Sequence, residues 1–295
     1  MKEIFIICGP TASGKTSLAI SLAQKLNAEI ISADSRQVYK ELNIGVAKPS
    51  NEDLKLVKHH FIGSVSISEN FTAGMYAQLA REVISKYFET NNSIVICGGT
   101  GLYIKALFEG LNRPPVSEEI RERVNHLMET HELSHVSDLL IHKDPQLASE
   151  INLDNPRRVQ RALEWVLAGK PQSEVEPVPT DWKISSFGIG ISREELYRNI
   201  NFRVDQMLKE GLWEEVESLV PYQNLNALQT VGYKEIFDCI NGLLTQNEAI
   251  EKIKQHTRNY AKRQITWFNN EHKTHWLTQK SQEEMVEEIL LSQGS

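Results

Sequence analysis

Gly9-Pro10-Thr11-Ala12-Ser13-Gly14-Lys15-Thr16 is the stretch on which the reading of this chain turns. It fits the phosphate-loop pattern G-x-x-x-x-G-K-[ST], which chance supplies in roughly one chain per hundred of this length. Ile4-Phe5-Ile6-Ile7-Cys8, just before it, is a short apolar run, as in a buried parallel strand. Leu18, Ala19, Leu22 and Leu26, just after it, fall at helical spacing. Strand, loop and helix in that order are the context the motif requires. The loop amides and the helix N-terminus then face an anion, Lys15 adds a point charge, and the Thr16 hydroxyl is placed to ligate Mg²⁺. A glycine-rich turn with no ligand is the competing reading. The loop alone does not say which phosphate it holds.

The composition is that of an ordinary globular protein: 295 residues, 40% hydrophobic and 24% charged. No run approaches the ~18 apolar residues of a membrane span, and no signal peptide is visible. Cys8, Cys97 and Cys239 lie far apart with no metal-type spacing, which predicts a reduced, cytoplasmic setting. The formal net charge of −7 weighs against a nucleic-acid partner overall, but not against a local basic surface.

Strands alternate with helices through the first 110 residues. Residues 28–33 and 92–97 read as strands, and 72–88 as a helix carrying Met75, Leu79, Val83 and Ile84. Such alternation predicts a parallel sheet covered by helices, with ligands at the carboxyl ends of its strands. Three polar turns follow strand ends: Gly9 to Thr16, Asp34 to Gln37, and Gly98 to Gly101. At residues 110–115 the pattern changes. Two prolines and a glycine mark a linker, and Ser117 reads as the N-cap of a helix with Ile120, Val124, Leu127 and Met128 on one face. A further helix takes Asp154 or Asn155 as cap, Pro156 in its first turn and Gly169 at its end. Residues 169–186 read as a second linker, 187–191 as another strand, and the remainder as helices alone. The expected architecture is a phosphate-loop α/β core, residues 1–111 and 186–295, with an all-helical insertion at 112–185.

Asp34 follows the second strand. A carboxylate there can meet Mg²⁺ or accept a proton from a substrate, and equally can be a turn residue. The strand at 93–97 runs into Gly-Gly-Thr with no acidic residue at its end, so the usual Walker-B aspartate is missing. That favours group transfer over driven hydrolysis. Thr100 is spaced to bond a phosphate oxygen, or simply to shape a turn. Arg157, Arg158 and Arg161 lie opposite the apolar face of Val159, Ala162, Leu163, Val166 and Leu167, with no acid read beside them. They suit phosphate contacts or a solvated face. In the basic segment 252–273, Tyr260, Trp267 and Phe268 share a face with Ile253 and Ala261 and read as core, while Arg258 and Lys262 lie opposite. His59-His60 reads as fixing a turn, and no histidine spacing matches a metal motif.

The loop, together with Ser32-Ala33-Asp34-Ser35-Arg36-Gln37-Val38-Tyr39, resembles the tRNA dimethylallyltransferases, also called tRNA isopentenyltransferases. Gly45-Val46-Ala47-Lys48-Pro49, His59-His60, residues 98–103, 155–164, 229–235 and 260–268 extend the resemblance through most of the chain. Departures fall at residues 61–64 and at Trp165. The ending, with no zinc-finger extension, is similar to bacterial or organellar members. The resemblance implies transfer of a dimethylallyl group from dimethylallyl diphosphate to N6 of the adenosine immediately 3′ of the anticodon, in tRNAs reading codons that begin with U. It also implies roles. Gly9, Pro10, Thr11, Ala12, Ser13, Gly14, Lys15 and Thr16 would hold diphosphate, with Mg²⁺ at Thr16 and Arg203 nearby. Asp34 would accept the amine hydrogen and Thr100 would sit at the reacting centre. Asp34, Ser35, Arg36, Gln37, Thr100, Arg121, Arg157, Arg158, Val159, Gln160 and Arg161 would contact the tRNA anticodon stem-loop. A monomer with no membrane attachment is expected. The alternatives are a small-molecule kinase of the shikimate-kinase type, a prenyltransferase of free adenine nucleotide, and an RNA-binding protein with a relic loop.

Overall fold

The computed structural model describes residues 2–110, 116–170, 181–271 and 273–292. The linker readings at 111–115 and 171–180 lie outside the described residues. The chain divides into two compact units, residues 1–109 with 178–295, and residues 110–177.

The larger unit opens with β1 (Lys2–Cys8), α1 (Lys15–Leu26), β2 (Ile30–Ser32), α2 (Asn51–Leu56), β3 (His59–His60), α3 (Ala73–Tyr87), β4 (Ser93–Gly98) and α4 (Gly101–Glu109). The smaller unit holds α5 (Glu118–Thr130), α6 (Leu133–Lys143), α7 (Pro145–Glu150) and α8 (Pro156–Leu167). The chain then adds β5 (Trp182–Gly190), α9 (Arg193–Lys209), α10 (Leu212–Ser218), α11 (Tyr233–Ile240), α12 (Gln246–Glu271), β6 (His275–Thr278) and α13 (Gln282–Leu291) to the larger unit.

Six parallel strands run in the order β3-β2-β4-β1-β5-β6. β1 lies between β4 and β5 and is covered on both faces, which is why its sequence is apolar without alternation. On one face Phe5 and Ile7 meet Leu18 and Leu22 of α1 and Met285, Val286 and Ile289 of α13. Elsewhere in the unit Tyr76 of α3 stacks on Tyr103 of α4 at 4.2 Å between ring centres, a pairing that contributes about 0.5–1.5 kcal/mol beyond burial.

Several expectations change. Residues after 191 are not helices alone, because β6 pairs with β5 through Phe187↔His275 to Gly190↔Thr278. Four residues are too few to show a period, and their partner lies about ninety positions earlier. His59 and His60 form the edge strand β3 instead of a turn, and the His60 ring is 2.6 Å from Glu29. The strand at 187–191 begins earlier, at Trp182, so residues 182–185 belong to the sheet and not to the insertion. The second strand is shorter than 28–33, beginning at Ile30. Met75 and Leu79 of α3 are exposed. The buried face is Ala73, Tyr76, Ala77, Ala80 and Ile84, because small residues let α3 approach α4 closely.

In the smaller unit Ser117 caps α5 and Asn155 caps α8, each accepting a backbone N–H, with Pro156 entering α8. Its core is Val124, Val136, Leu140, Ala148, Val159, Ala162 and Leu163.

Tyr76 is fully buried, and its hydroxyl has no partner among the described residues. A buried unpaired hydroxyl costs about 1–3 kcal/mol. Tyr76→Phe keeps the stack and should raise the thermal midpoint by roughly 2–4 °C per kcal/mol recovered. A lowered midpoint in calorimetry would show that the hydroxyl is bonded after all.

Candidate active site

The loop between β1 and α1 turns on left-handed backbone at Gly9 (φ 126°), Ala12 (φ 62°) and Gly14 (φ 90°). Glycine takes this region at no steric cost, and two of the three positions use it. Gly14 precedes α1, which has no side-chain cap and no acid in its first turn. The first amides of the helix are therefore left for an anion. Ser13 Oγ donates to the Pro10 carbonyl at 2.9 Å, and Lys15 Nζ donates to the same oxygen at 2.5 Å. Burial holds the Lys15 ammonium below the ordinary lysine range, with Arg203 adding to this and Asp34 opposing it. Burial likewise works against the charge of Arg203, again opposed by Asp34. Arg203 Nη1 donates to Thr11 Oγ1 at 3.3 Å. The Thr16 hydroxyl makes no side-chain hydrogen bond among the described residues.

Asp34 follows β2. Its Oδ1 accepts from the Arg36 amide at 2.8 Å and the Gln37 amide at 3.2 Å, while Oδ2 has no hydrogen-bond partner among the described residues. One oxygen thus shapes the turn, as the turn reading expects, and the other is open. Thr100, after β4, ties the turn down. Its Oγ1 accepts from the Ser35 amide at 3.0 Å and donates to Ser35 Oγ at 3.3 Å. Arg36 reaches away and donates to the carbonyls of Asn226 (2.9 Å) and Ala227 (3.0 Å). Gln37 Nε2 donates to the carbonyls of Val46 (3.2 Å) and Ala47 (2.9 Å).

Three residues of α12 complete the site. The side-chain amide of Gln264 accepts from the Thr11 backbone at 2.8 Å and donates to the Gly99 carbonyl at 2.9 Å, so it joins two of the strand-end loops. Tyr260 and Arg263 line a cavity of about 310 Å³ together with Thr11, Asp34 and Arg203. Its other wall is apolar: Ile200, Val204, Met207, Leu212 and Val231. Burial pushes the Tyr260 hydroxyl up to about 12, and the Asp34 charge adds to the effect. The cavity therefore pairs a cationic end with a greasy side and a carboxylate. Gln264 and Arg263 carried no role in the sequence reading, and Tyr260 read as core. Their signal was a helix whose polar members interrupt its apolar face at the level of the loop. Burial pushes the Cys97 thiol up to about 12 and raises that of Cys8, which keeps both neutral.

The remaining predicted residues lie in the smaller unit. Arg157 and Arg158 are exposed and have no acidic partner among the described residues. Arg161 does have one: Glu164, itself buried, receives it at 2.5 Å, so the expectation of no local acid fails there. Val159 is fully buried in the helical core. Gln160 donates to Asn125 at 2.6 Å, and Arg121 lies 3.6 Å from Glu118. Among the described residues no three histidine, cysteine or acidic side chains cluster as a metal site, and no helix is long and apolar enough to cross a membrane.

A family model described as IPP transferase matches residues 37–271. The tRNA dimethylallyltransferase of Cytophaga hutchinsonii is 43% identical over 93% of this chain and 92% of its own length. The full-length tRNA isopentenylpyrophosphate transferase of Bacillus halodurans has a solved structure that superposes with a TM-score of 0.75 at 34% identity, covering 100% of this chain and 96% of that one. A eukaryotic dimethylallyltransferase acting on tRNA gives a TM-score of 0.77 at 26% identity, over 94% of this chain and 74% of its own. A phosphate loop at the end of β1, a half-engaged aspartate after β2 and similarity along nearly the whole chain thus lead to one conclusion: the chain belongs to the IPP transferase family.

Proposed function

We propose that this protein transfers a dimethylallyl group from dimethylallyl diphosphate to N6 of the adenosine immediately 3′ of the anticodon, in tRNAs reading codons that begin with U. The observation that carries the reading is Asp34. Its Oδ1 is held by two amides, its Oδ2 is open, and it shares a cavity wall with the phosphate-facing Thr11 and Arg203. The relatives named tRNA dimethylallyltransferase support the same assignment.

The loop amides, Lys15 and Arg203 take the diphosphate, and the apolar wall takes the five-carbon group. The N6 lone pair attacks C1 of the dimethylallyl group as the C1–oxygen bond breaks. The electron pair leaves with diphosphate, where buried cations stabilise charge more strongly than they would in water. The N6 proton passes to Asp34 Oδ2. An amine conjugated with its ring is a weak nucleophile, so alignment and a base are both needed. The adenosine is extruded from the anticodon loop, which costs less than extrusion from a duplex. Mg²⁺ suits the Thr16 hydroxyl, because this ion takes few protein oxygens and completes its shell with substrate phosphates and water. When bound it neutralises charge on the departing diphosphate. Arg157 and Arg158 of α8, and Arg121 of α5, meet the tRNA backbone. Free thiols at Cys8, Cys97 and Cys239 and a tRNA substrate favour the cytoplasm.

Labelled dimethylallyl diphosphate and Mg²⁺, offered with unmodified tRNA, with AMP, and in parallel with shikimate plus ATP, separates the readings. Label in tRNA is expected, and label in AMP alone overturns the proposal. Asp34→Ala should cut transfer about 10²–10⁴-fold while tRNA binding in a filter assay persists. Lost binding with normal turnover at saturating tRNA would contradict the base role. Lys15→Met removes a charged contact worth about 1.5–3 kcal/mol, so calorimetric affinity for inorganic diphosphate should fall roughly 10- to 100-fold. An unchanged affinity would mean that the loop does not hold this anion. Arg158→Ala should weaken tRNA binding and lower its salt slope by about 1, and an unchanged slope returns that arginine to a solvated face.

A further inference from the structure

Gly45 and Val46 of the loop at 43–47 line the same cavity as Asp34. This short loop lies between two anchors. On its own side Lys48 Nζ donates to the Lys40 carbonyl and to Asn43 Oδ1, each at 3.1 Å. From α10, the Glu215 carboxylate collects three consecutive amides: Asn43 (3.2 Å) and Ile44 (2.8 Å) on Oε2, and Gly45 (3.1 Å) on Oε1. Oε1 also accepts the Tyr233 hydroxyl at 2.5 Å. The Tyr233 ring lies beneath Gly45, so close that a Cβ there would come within 2.5 Å of it. A carboxylate with four donors in nearly fixed directions is a strong and directional anchor. The fixed loop in turn presents the Val46 and Ala47 carbonyls that accept from the Gln37 side-chain Nε2. Gln37 and Asp34 share one turn, since Asp34 Oδ1 accepts the Gln37 amide.

We propose that Glu215, braced by Tyr233, is a positioning residue that sets the acceptor side of the active site. It touches no reacting atom. It acts through the loop at 43–47, which fixes Gln37 and, through the shared turn, the bearing of Asp34. This rests on the proposed transfer to tRNA. The diphosphate grip at Gly9 to Thr16 is held separately, by Gln264 and Arg203, so Glu215 governs the acceptor and not the donor.

The test compares Glu215→Gln, Tyr233→Phe and the exposed control Glu217→Gln with the wild type. Glu215→Gln turns part of an acceptor into a donor facing amide donors. It should raise the KM for tRNA about ten-fold or more, with the KM for dimethylallyl diphosphate unchanged and the thermal midpoint near wild type. Tyr233→Phe keeps the ring under Gly45 and loses one bond of four, so a smaller rise in the same parameter is expected. Glu217→Gln should match the wild type. Hydrogen exchange at the amides of Asn43, Ile44 and Gly45 should quicken in Glu215→Gln and leave α1 unaffected. Equal changes in both KM values, or slow exchange at all three amides in Glu215→Gln, overturns the proposal. If the wild type does not prenylate tRNA, the functional assignment falls, and the exchange experiment still decides whether Glu215 holds this loop.

Discussion

The side-chain amide of Gln264 is the interaction on which the site depends. It lies about 250 residues from the phosphate loop in sequence, is almost wholly buried, and uses both ends: carbonyl to the Thr11 N–H, amide to the Gly99 carbonyl. Two loops at the ends of adjacent strands β1 and β4 are thereby fixed at one separation. Neither loop has regular structure to hold it, and a buried amide left half-bonded costs more than an exposed one. The same helix α12 brings Tyr260 and Arg263 to the cavity, and it is held further along by Arg258 donating to Asn201 and by His256 against Glu235.

Around that joint the charges follow a simple pattern. The chain as a whole is acidic, at −7, yet the cavity gathers Arg36, Arg203 and Arg263 against a single carboxylate, Asp34, and the charge of Lys15 interacts with both Arg203 and Asp34. Burial disfavours the charge of Lys15 and Arg203 before anything binds. In the proposed reaction an incoming diphosphate relieves that, and the relief grows as negative charge builds on the departing group.

How much of this was legible depended on whether the determinant was local. The phosphate loop, the caps Ser117 and Asn155, and the apolar face of α8 rest on neighbours within four positions, and they read correctly. β6 did not, because its four residues become a strand only through β5. His59 and His60 likewise gain strand character from pairing with β2, not from their own preference. On α3 the largest apolar residues, Met75 and Leu79, pointed to the wrong face, since close packing selected alanines. Arg161 looked free because its partner Glu164 sits one turn on, at a position that reads as surface but is buried. Around the cavity, Asp34 and Thr100 stood out by their place after strand ends and Arg203 by the family resemblance, whereas Gln264 and Glu215 make contacts distant in sequence.

The absence of an acidic residue at the end of β4 acquires a meaning from this geometry. In a hydrolase of the same architecture, a carboxylate there helps organise a metal and water near the terminal phosphate. Here β4 runs into Gly99 and Thr100 instead. The Gly99 carbonyl goes to Gln264, and the Thr100 hydroxyl goes to Ser35. The strand end thus shapes loops, which in the proposed reaction leaves the acid–base work to Asp34. A carboxylate with one oxygen anchored keeps its direction while the other remains able to take a proton. With diphosphate held as proposed beside such a group, across an apolar wall, the site is arranged to lose diphosphate as a leaving group to a nucleophile other than water.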